Sequence, residues 1–384
     1  MSISRREFGR LALAGLPAAA LIGRTESIFG AFVQAKPNSL FNGVQIGTIT
    51  YSFRSMPDQS GEATLKYVVD SGLSAIELMD GPAENFAGAP NTGRGGGPGG
   101  AGRGPGGGRR GEAADQPAPQ FNSSWNGQPC NAAPRGDAPP AARAAGAGRG
   151  RGPQTPEQLA AAEERAKTMR EWRTSVSMDK FAQLRKMYND AGVSIYAYKS
   201  DGMQKNMQTT DAELDYLFNV AKTLGANHTT MELPAGADGE AMLKRMAQFA
   251  EKHKLAVAYH THAQGSMTAF DQAFAISPWN KSNVDLGHYV AGGNIGGTTL
   301  QFLEKHHDRI ASVHLKDRTT PEHCALNLPF GTGETPIKDI LQTIKKNKWK
   351  FPVSIELEYP IPEGSDAVQE MRKCVDYCRR ALST

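Results

Sequence analysis

Cysteine is scarce: the 384 residues hold only Cys130, Cys324, Cys374 and Cys378, and no two form a Cys-x-x-Cys pair. From that spacing neither a disulfide framework nor a structural zinc site is expected. Long apolar runs are missing too. The stretch Leu11–Ile22 is too short to span a bilayer. With Ser4-Arg5-Arg6-Glu7-Phe8 before it and Val33-Gln34-Ala35 after it, it reads as a twin-arginine export signal over residues 1–35. No cysteine lies near it to carry a lipid, so no stable membrane anchor is expected, and the mature chain is placed in the periplasm or outside the cell.

Excess positive charge is also lacking where it would count. The chain is +4 overall, but residues 93–152 contribute eight Arg against Glu112, Asp115 and Asp137, and residues 1–35 four Arg against Glu7 and Glu26. What remains is net −3, so the folded part carries no electrostatic footprint for nucleic acid. Gly93 to Gly152 also holds 18 of the 42 glycines and almost nothing that could fill a core. Such a segment buries too little apolar surface to offset its ordering entropy. It is expected as a disordered insertion, taken as residues 84–156, interrupting one domain that runs from 40 to 384.

Alternation of short apolar runs with helical stretches fills the rest. Strands are expected at Val44–Tyr51, Ala75–Leu78, Ser194–Tyr198, His228–Leu233, Ala256–His260, Asn283–Leu286, Ala311–Leu315 and Val353–Leu357. Between them lie amphipathic stretches such as Asp211–Leu224, whose Leu214, Leu217, Phe218, Ala221 and Leu224 keep three- and four-residue spacing. Gly72, Gly192 and Gly225 mark helix ends. An open parallel sheet usually declares a glycine-rich nucleotide loop after its first strand. Here that position reads Gly47-Thr48-Ile49-Thr50-Tyr51, and Gly331-Thr332-Gly333 follows no strand end. A closed (β/α)₈ TIM barrel, with the insertion after strand two, is the expectation.

Ionisable residues crowd the C-terminal ends of these strands, the face on which a barrel gathers its chemistry. They are Glu77, Lys199, Glu232, His260, His262, Asp285, His288, His314, Lys316 and Glu356, with Asp317 and Glu358 beside them. So many charges in one pocket are costly unless a cation or substrate pairs them. Carboxylates with imidazoles and no thiolate suit Mn²⁺, Mg²⁺, Co²⁺ or Zn²⁺. Asp285, His314 and Glu356 are the expected metal ligands, and Glu232 and His260 compete as the fourth. Glu77 is expected in a supporting or substrate-binding role.

The phrases Tyr259-His260-Thr261-His262, Asp285-Leu286-Gly287-His288, His314-Leu315-Lys316-Asp317, Gly331-Thr332-Gly333-Glu334 and Ser354-Ile355-Glu356-Leu357-Glu358 resemble the sugar phosphate isomerase/epimerase-like family. The resemblance runs from about Val44 to the C-terminus, skips the insertion, and implies a xylose-isomerase-like barrel. It also implies a divalent metal held by Glu, Asp, His and Glu from strands five to eight. Asp285, His314 and Glu356 match the last three, whereas His260 stands where many relatives have the first Glu. That departure weighs against a simple epimerase, in which the two Glu are paired acid and base.

The expected chemistry passes through an enediolate, leading to isomerisation, epimerisation or elimination of water or an alcohol. Glu356 or Glu232 would be the base and His262 or His288 the proton donor, while Lys316 would neutralise charge on a substrate oxygen. Lys199 and Glu358 are expected to bind substrate. Export and the absence of a phosphate-cradling loop favour an unphosphorylated sugar, keto-sugar or glycoside. Two other classes compete: a non-catalytic carbohydrate-binding barrel, and an apurinic-endonuclease-like hydrolase, which the net acidic core disfavours.

Overall fold

The structure, a computed structural model, describes residues 36–91, 124–126, 128–130, 155–200 and 207–384. The expected signal, residues 1–35, lies outside the described residues, as does most of the expected insertion.

Eight parallel strands form the frame: β1 (Val44–Ile49), β2 (Ala75–Met79), β3 (Ser194–Lys199), β4 (His228–Glu232), β5 (Ala256–His260), β6 (Asn280–Asp285), β7 (Ile310–Leu315) and β8 (Val353–Ile355). Each pairs with the next, and β8 returns to β1 through Ser354↔Gly47, so the sheet closes into the expected barrel. Closure removes exposed sheet edges and brings the eight strand ends to one face. Register then fixes neighbours: Glu232 lies across from His260, His260 from Asn283, and Asp285 from His314.

Helices cover the outside because their apolar stripes match the Val, Ile and Leu side chains that point outward from the strands. Asp211–Leu224 buries Leu214, Leu217, Phe218, Val220, Ala221 and Leu224. Thr210 and Glu213 form its capping box, and Gly225, at φ 80°, ends it in the left-handed region where glycine carries no steric penalty. Among the described residues no helix is long and apolar enough to cross a membrane.

Two expectations need correction. Residues 84–86, assigned to the insertion, complete the helix Asp80–Phe86, and Ser124–Trp125 pairs with Gln128–Pro129 in a short antiparallel ribbon. The cysteines are also not all free. Cys130, next to that ribbon, is disulfide-bonded to Cys324 in the segment after β7, across 194 residues. Partners so far apart leave no local spacing signature, which is why composition missed the bond. Cys374 and Cys378 are buried thiols in the last helix, Ala367–Ser383.

Candidate active site

Strand periodicity builds the site in two layers. On β4, β6 and β7 the residue two positions before each end group shares its face. Thr230 precedes Glu232, Asn283 precedes Asp285, and Ser312 precedes His314. All three of these preceding residues are fully buried and form a polar floor. Glu77, from β2, joins it with no exposed surface. Its carboxylate accepts from Thr230 Oγ1 at 2.6 Å, Asn283 Nδ2 at 3.2 Å and His314 Nε2 at 2.9 Å. From there Glu77 orients His314 from within the floor.

Among the described residues, His260, Asp285, His314 and Glu356 form one buried group whose ligand-capable atoms all lie within 4.8 Å of one another. Glu232, His260 and His262 form a second such group, more open to solvent. The geometry thus puts His260, rather than Glu232, with the three expected ligands. His260 belongs to both groups but has one lone pair to give. Asn283 Nδ2 donates to Glu77 and Ser312, so its Oδ1 is the atom facing His260 Nδ1 at 2.9 Å. The opposite orientation would set an amide oxygen against the Glu77 carboxylate. His260 therefore carries its proton on Nδ1 and leaves Nε2 bare, as a metal ligand requires. Burial, aided by the Lys199 charge, lowers its pKa to about 4 and keeps the ring neutral.

His314 lies between two carboxylates, with Nδ1 2.8 Å from Glu356 Oε2 and Nε2 on Glu77. Burial alone would lower its pKa, but these two anions lift it to about 10. Glu77 shows the converse: burial would raise it, and the His314 charge pulls it down to about 2. A carboxylate on the far nitrogen of a ligand histidine is the usual support for a metal ligand. Asp285 adds to the fit, since its Oδ2 is buried and accepts no well-directed hydrogen bond. Its Oδ1 takes the His288 amide at 2.7 Å.

Lys316 balances the anions. Its Nζ is 2.9 Å from Asp285 Oδ2, 2.8 Å from Glu356 Oε2 and 2.6 Å from Glu358 Oε2. Burial would favour the neutral amine, yet the three carboxylates hold it firmly protonated. Glu356 is in turn held well below the usual carboxylate range by Lys316 and His314, against its burial. Only glycine at 287 admits this lysine, because a Cβ there would meet Lys316 Cγ at 2.3 Å and its carbonyl oxygen at 2.6 Å. The Gly-Thr-Gly phrase has a similar cause. Asp317 accepts from the amides of Gly331, Thr332, Gly333 and Thr335, and a Cβ at 333 would strike its Oδ1 at 2.3 Å. Asp317 thus anchors this loop.

At the mouth, Glu232 pairs with Lys199 Nζ at 3.1 Å and with His262 Nδ1 at 3.2 Å. The His262 side chain is half exposed and that of Glu232 one-third. Burial opposes the charge on both, but the pairing prevails, raising the pKa of His262 and holding Glu232 well below its ordinary value. His288 is buried, its ring 4.8 Å from that of His262. Sequence reasoning missed Asn283, Thr230 and Arg318. The period-two position before each end group signals the first two, and Arg318 directly follows His314-Leu315-Lys316-Asp317.

Comparison with known proteins bears on this arrangement. Residues 166–379 match the family described as xylose isomerase-like TIM barrel. No curated protein matches the chain. Similar solved structures include a sugar phosphate isomerase/epimerase from Parabacteroides distasonis, at 13% identity over 94% of this chain and 100% of that one, TM-score 0.50. The probable 3-DHS dehydratase AsbF of Bacillus anthracis is 12% identical over 87% and 98%, TM-score 0.50. An IOLI protein with a bound zinc atom is 11% identical over 88% and 98%, TM-score 0.51. At these identities the likeness is one of fold.

Proposed function

The chain belongs to the xylose isomerase-like TIM barrel family, and on that footing we propose that it is a divalent-metal-dependent enzyme that isomerises or epimerises a sugar, keto-sugar or glycoside, or eliminates water or an alcohol from one. One observation carries this reading: His260, Asp285, His314 and Glu356 converge from the ends of four successive strands. Two imidazoles and two carboxylates suit Mn²⁺, Mg²⁺, Co²⁺ or Zn²⁺, and a protein of the same fold binds zinc. Such an ion, when bound, supplies a Lewis acid for a substrate carbonyl and its neighbouring hydroxyl.

This chain's own groups then divide the work. Glu232, ionised and open to the mouth, is the carboxylate placed to take a proton from carbon, whereas Glu356 is enclosed by His314 and Lys316. His262, proton-bearing beside it, is the donor. Lys316 offsets negative charge developing on a substrate oxygen. Lys199 fixes Glu232, and Glu358 fixes Lys316.

Export to an oxidising compartment is part of the same proposal. A disulfide closing a 194-residue span suits the periplasm or exterior better than a reducing cytoplasm. Free sugars and glycosides, rather than sugar phosphates, are the substrates to expect there.

Metal analysis of the purified protein, with NMR-monitored turnover of a panel of sugars and 3-keto-glycosides, tests the proposal. Stoichiometric metal, lost in Glu356→Gln, and product formation are expected. Protein that purifies without metal and still binds sugar after Glu356→Gln would make this a carbohydrate-binding barrel instead. Nicking of abasic DNA would favour a hydrolase.

A further inference from the structure

Arg318 is among the largest fully buried side chains of the protein, yet it lies beside the candidate site. Its Nη1 is 2.6 Å from His288 Nδ1, and its Nη2 donates to the Ala325 carbonyl at 2.6 Å. Neither end of this bridge is loose. Ala325 and its neighbour Cys324 hold left-handed backbone, at φ 48° and 73°. The Ala325 amide bonds to Thr320 O, and Cys324 is tied to Cys130. The Arg318 amide donates to Thr335 Oγ1, and its carbonyl accepts from the Glu334 amide.

A guanidinium has donors only and stays charged. His288 Nδ1, facing it at 2.6 Å, must therefore be the bare acceptor, and the ring proton sits on Nε2. That nitrogen is buried and has no hydrogen-bond partner. The Glu358 carboxylate is 3.7 Å off and already bonded to Lys316. A buried N–H left without a partner is costly, and this one lies beside the ligand cluster, since the His288 amide bonds to Asp285.

We propose that Arg318 is a positioning residue, which fixes His288 as the Nε2–H tautomer and so presents one N–H donor to a hydroxyl or carbonyl oxygen of the substrate. What the donor serves rests on the enzymatic reading above; the tautomer does not. His288 is then neither a metal ligand through Nε2 nor a base. The proton-donor role of the site passes to His262, and His288 orients or polarises an oxygen.

Long-range ¹H–¹⁵N correlation spectra of full-length protein carrying ¹⁵N-histidine, with His288→Gln for assignment, read the tautomer directly. The wild-type ring is expected neutral with its proton on Nε2. Arg318→Met is expected to shift it towards the Nδ1–H form or the imidazolium. The same variant should lower kcat about 100-fold at unchanged metal content, with partial recovery in Arg318→Lys. A wild-type ring protonated on Nδ1 overturns the proposal even if Arg318→Met fails to fold. So does a tautomer change that leaves kcat unaltered. If no sugar in the panel is turned over, the enzymatic reading fails, while the spectrum still decides the positioning claim.

Discussion

Single side chains at this site divide into those that could hold an ion and those that hold the holders. His260 and Glu232 separate the two roles most sharply. His260→Ala is expected to abolish stoichiometric metal, while Glu232→Gln should keep the metal and lose about 10²–10⁴-fold in turnover; metal analysis beside kinetics checks both. Loss of metal from Glu232→Gln alone would reverse the assignment. Glu77→Gln keeps the shape but removes the anion behind His314, and should weaken metal binding about 10–100-fold, read by competition with a chelator. Below the site, His228 bonds to Ser312 Oγ at 2.9 Å and is fully buried. Burial depresses its pKa from 6.5 to about 4, with Lys281 and His314 acting in the same direction and Glu77 opposing. The unfolded chain therefore binds a proton here that the folded one refuses. Its contribution is complete above pH 6.5 and is lost as the pH falls to about 4, by at most about 3 kcal/mol. Urea unfolding at pH 7 and 4.5 should show a steeper loss for wild type than for His228→Gln; parallel losses would discount this histidine. The ligand candidates were legible because each stands at a strand end among apolar residues. Their supports were not, since Asn283, Thr230 and Ser312 are ordinary strand residues until closure turns them inward.

Most elements were read almost to their ends, because most barrel strands carry apolar runs and the covering helices keep one apolar stripe, but β6 starts three residues before its expected Asn283 because Asn280, Lys281 and Ser282 are polar. The helix Pro156–Ser175 is the instructive exception. It buries no residue, and its polar composition offers no apolar stripe to read. What docks it is chiefly charge, with Trp172 packed edge-on to Tyr216. Arg173 grips Glu84 with two nitrogens, at 2.8 and 3.0 Å, and Tyr216 donates to the same carboxylate. Both partners are nearly buried, at 12% and 7% exposure, so removing one strands the other. Glu84→Ala should cost about 3 kcal/mol in urea unfolding and expose this helix to amide exchange ahead of the barrel. No spacing rule links residues 84 and 173, and Glu84 itself was assigned to the insertion. Only the fold brings them together.

For the whole molecule, the disulfide is the feature that sequence composition argued against. Four cysteines without paired spacing gave no framework, and a single bond between distant partners needs none. Reduction, or replacement of both Cys130 and Cys324 by serine, should lower stability by about 2–4 kcal/mol, while Cys374 and Cys378, buried in the last helix, stay inert. The bond also makes residues 130–324 a covalent ring that encloses strands β3 to β7. Arg135, Arg143, Arg149 and Arg151 lie within that ring, before the helix at Pro156. Hydrolysis after any of them opens the ring without releasing a piece: β1 and β2 stay tethered to the other six strands through one sulfur–sulfur link. Such nicked protein should run as one band without reductant and as two with it, whereas cleavage after Arg103 should give two bands either way.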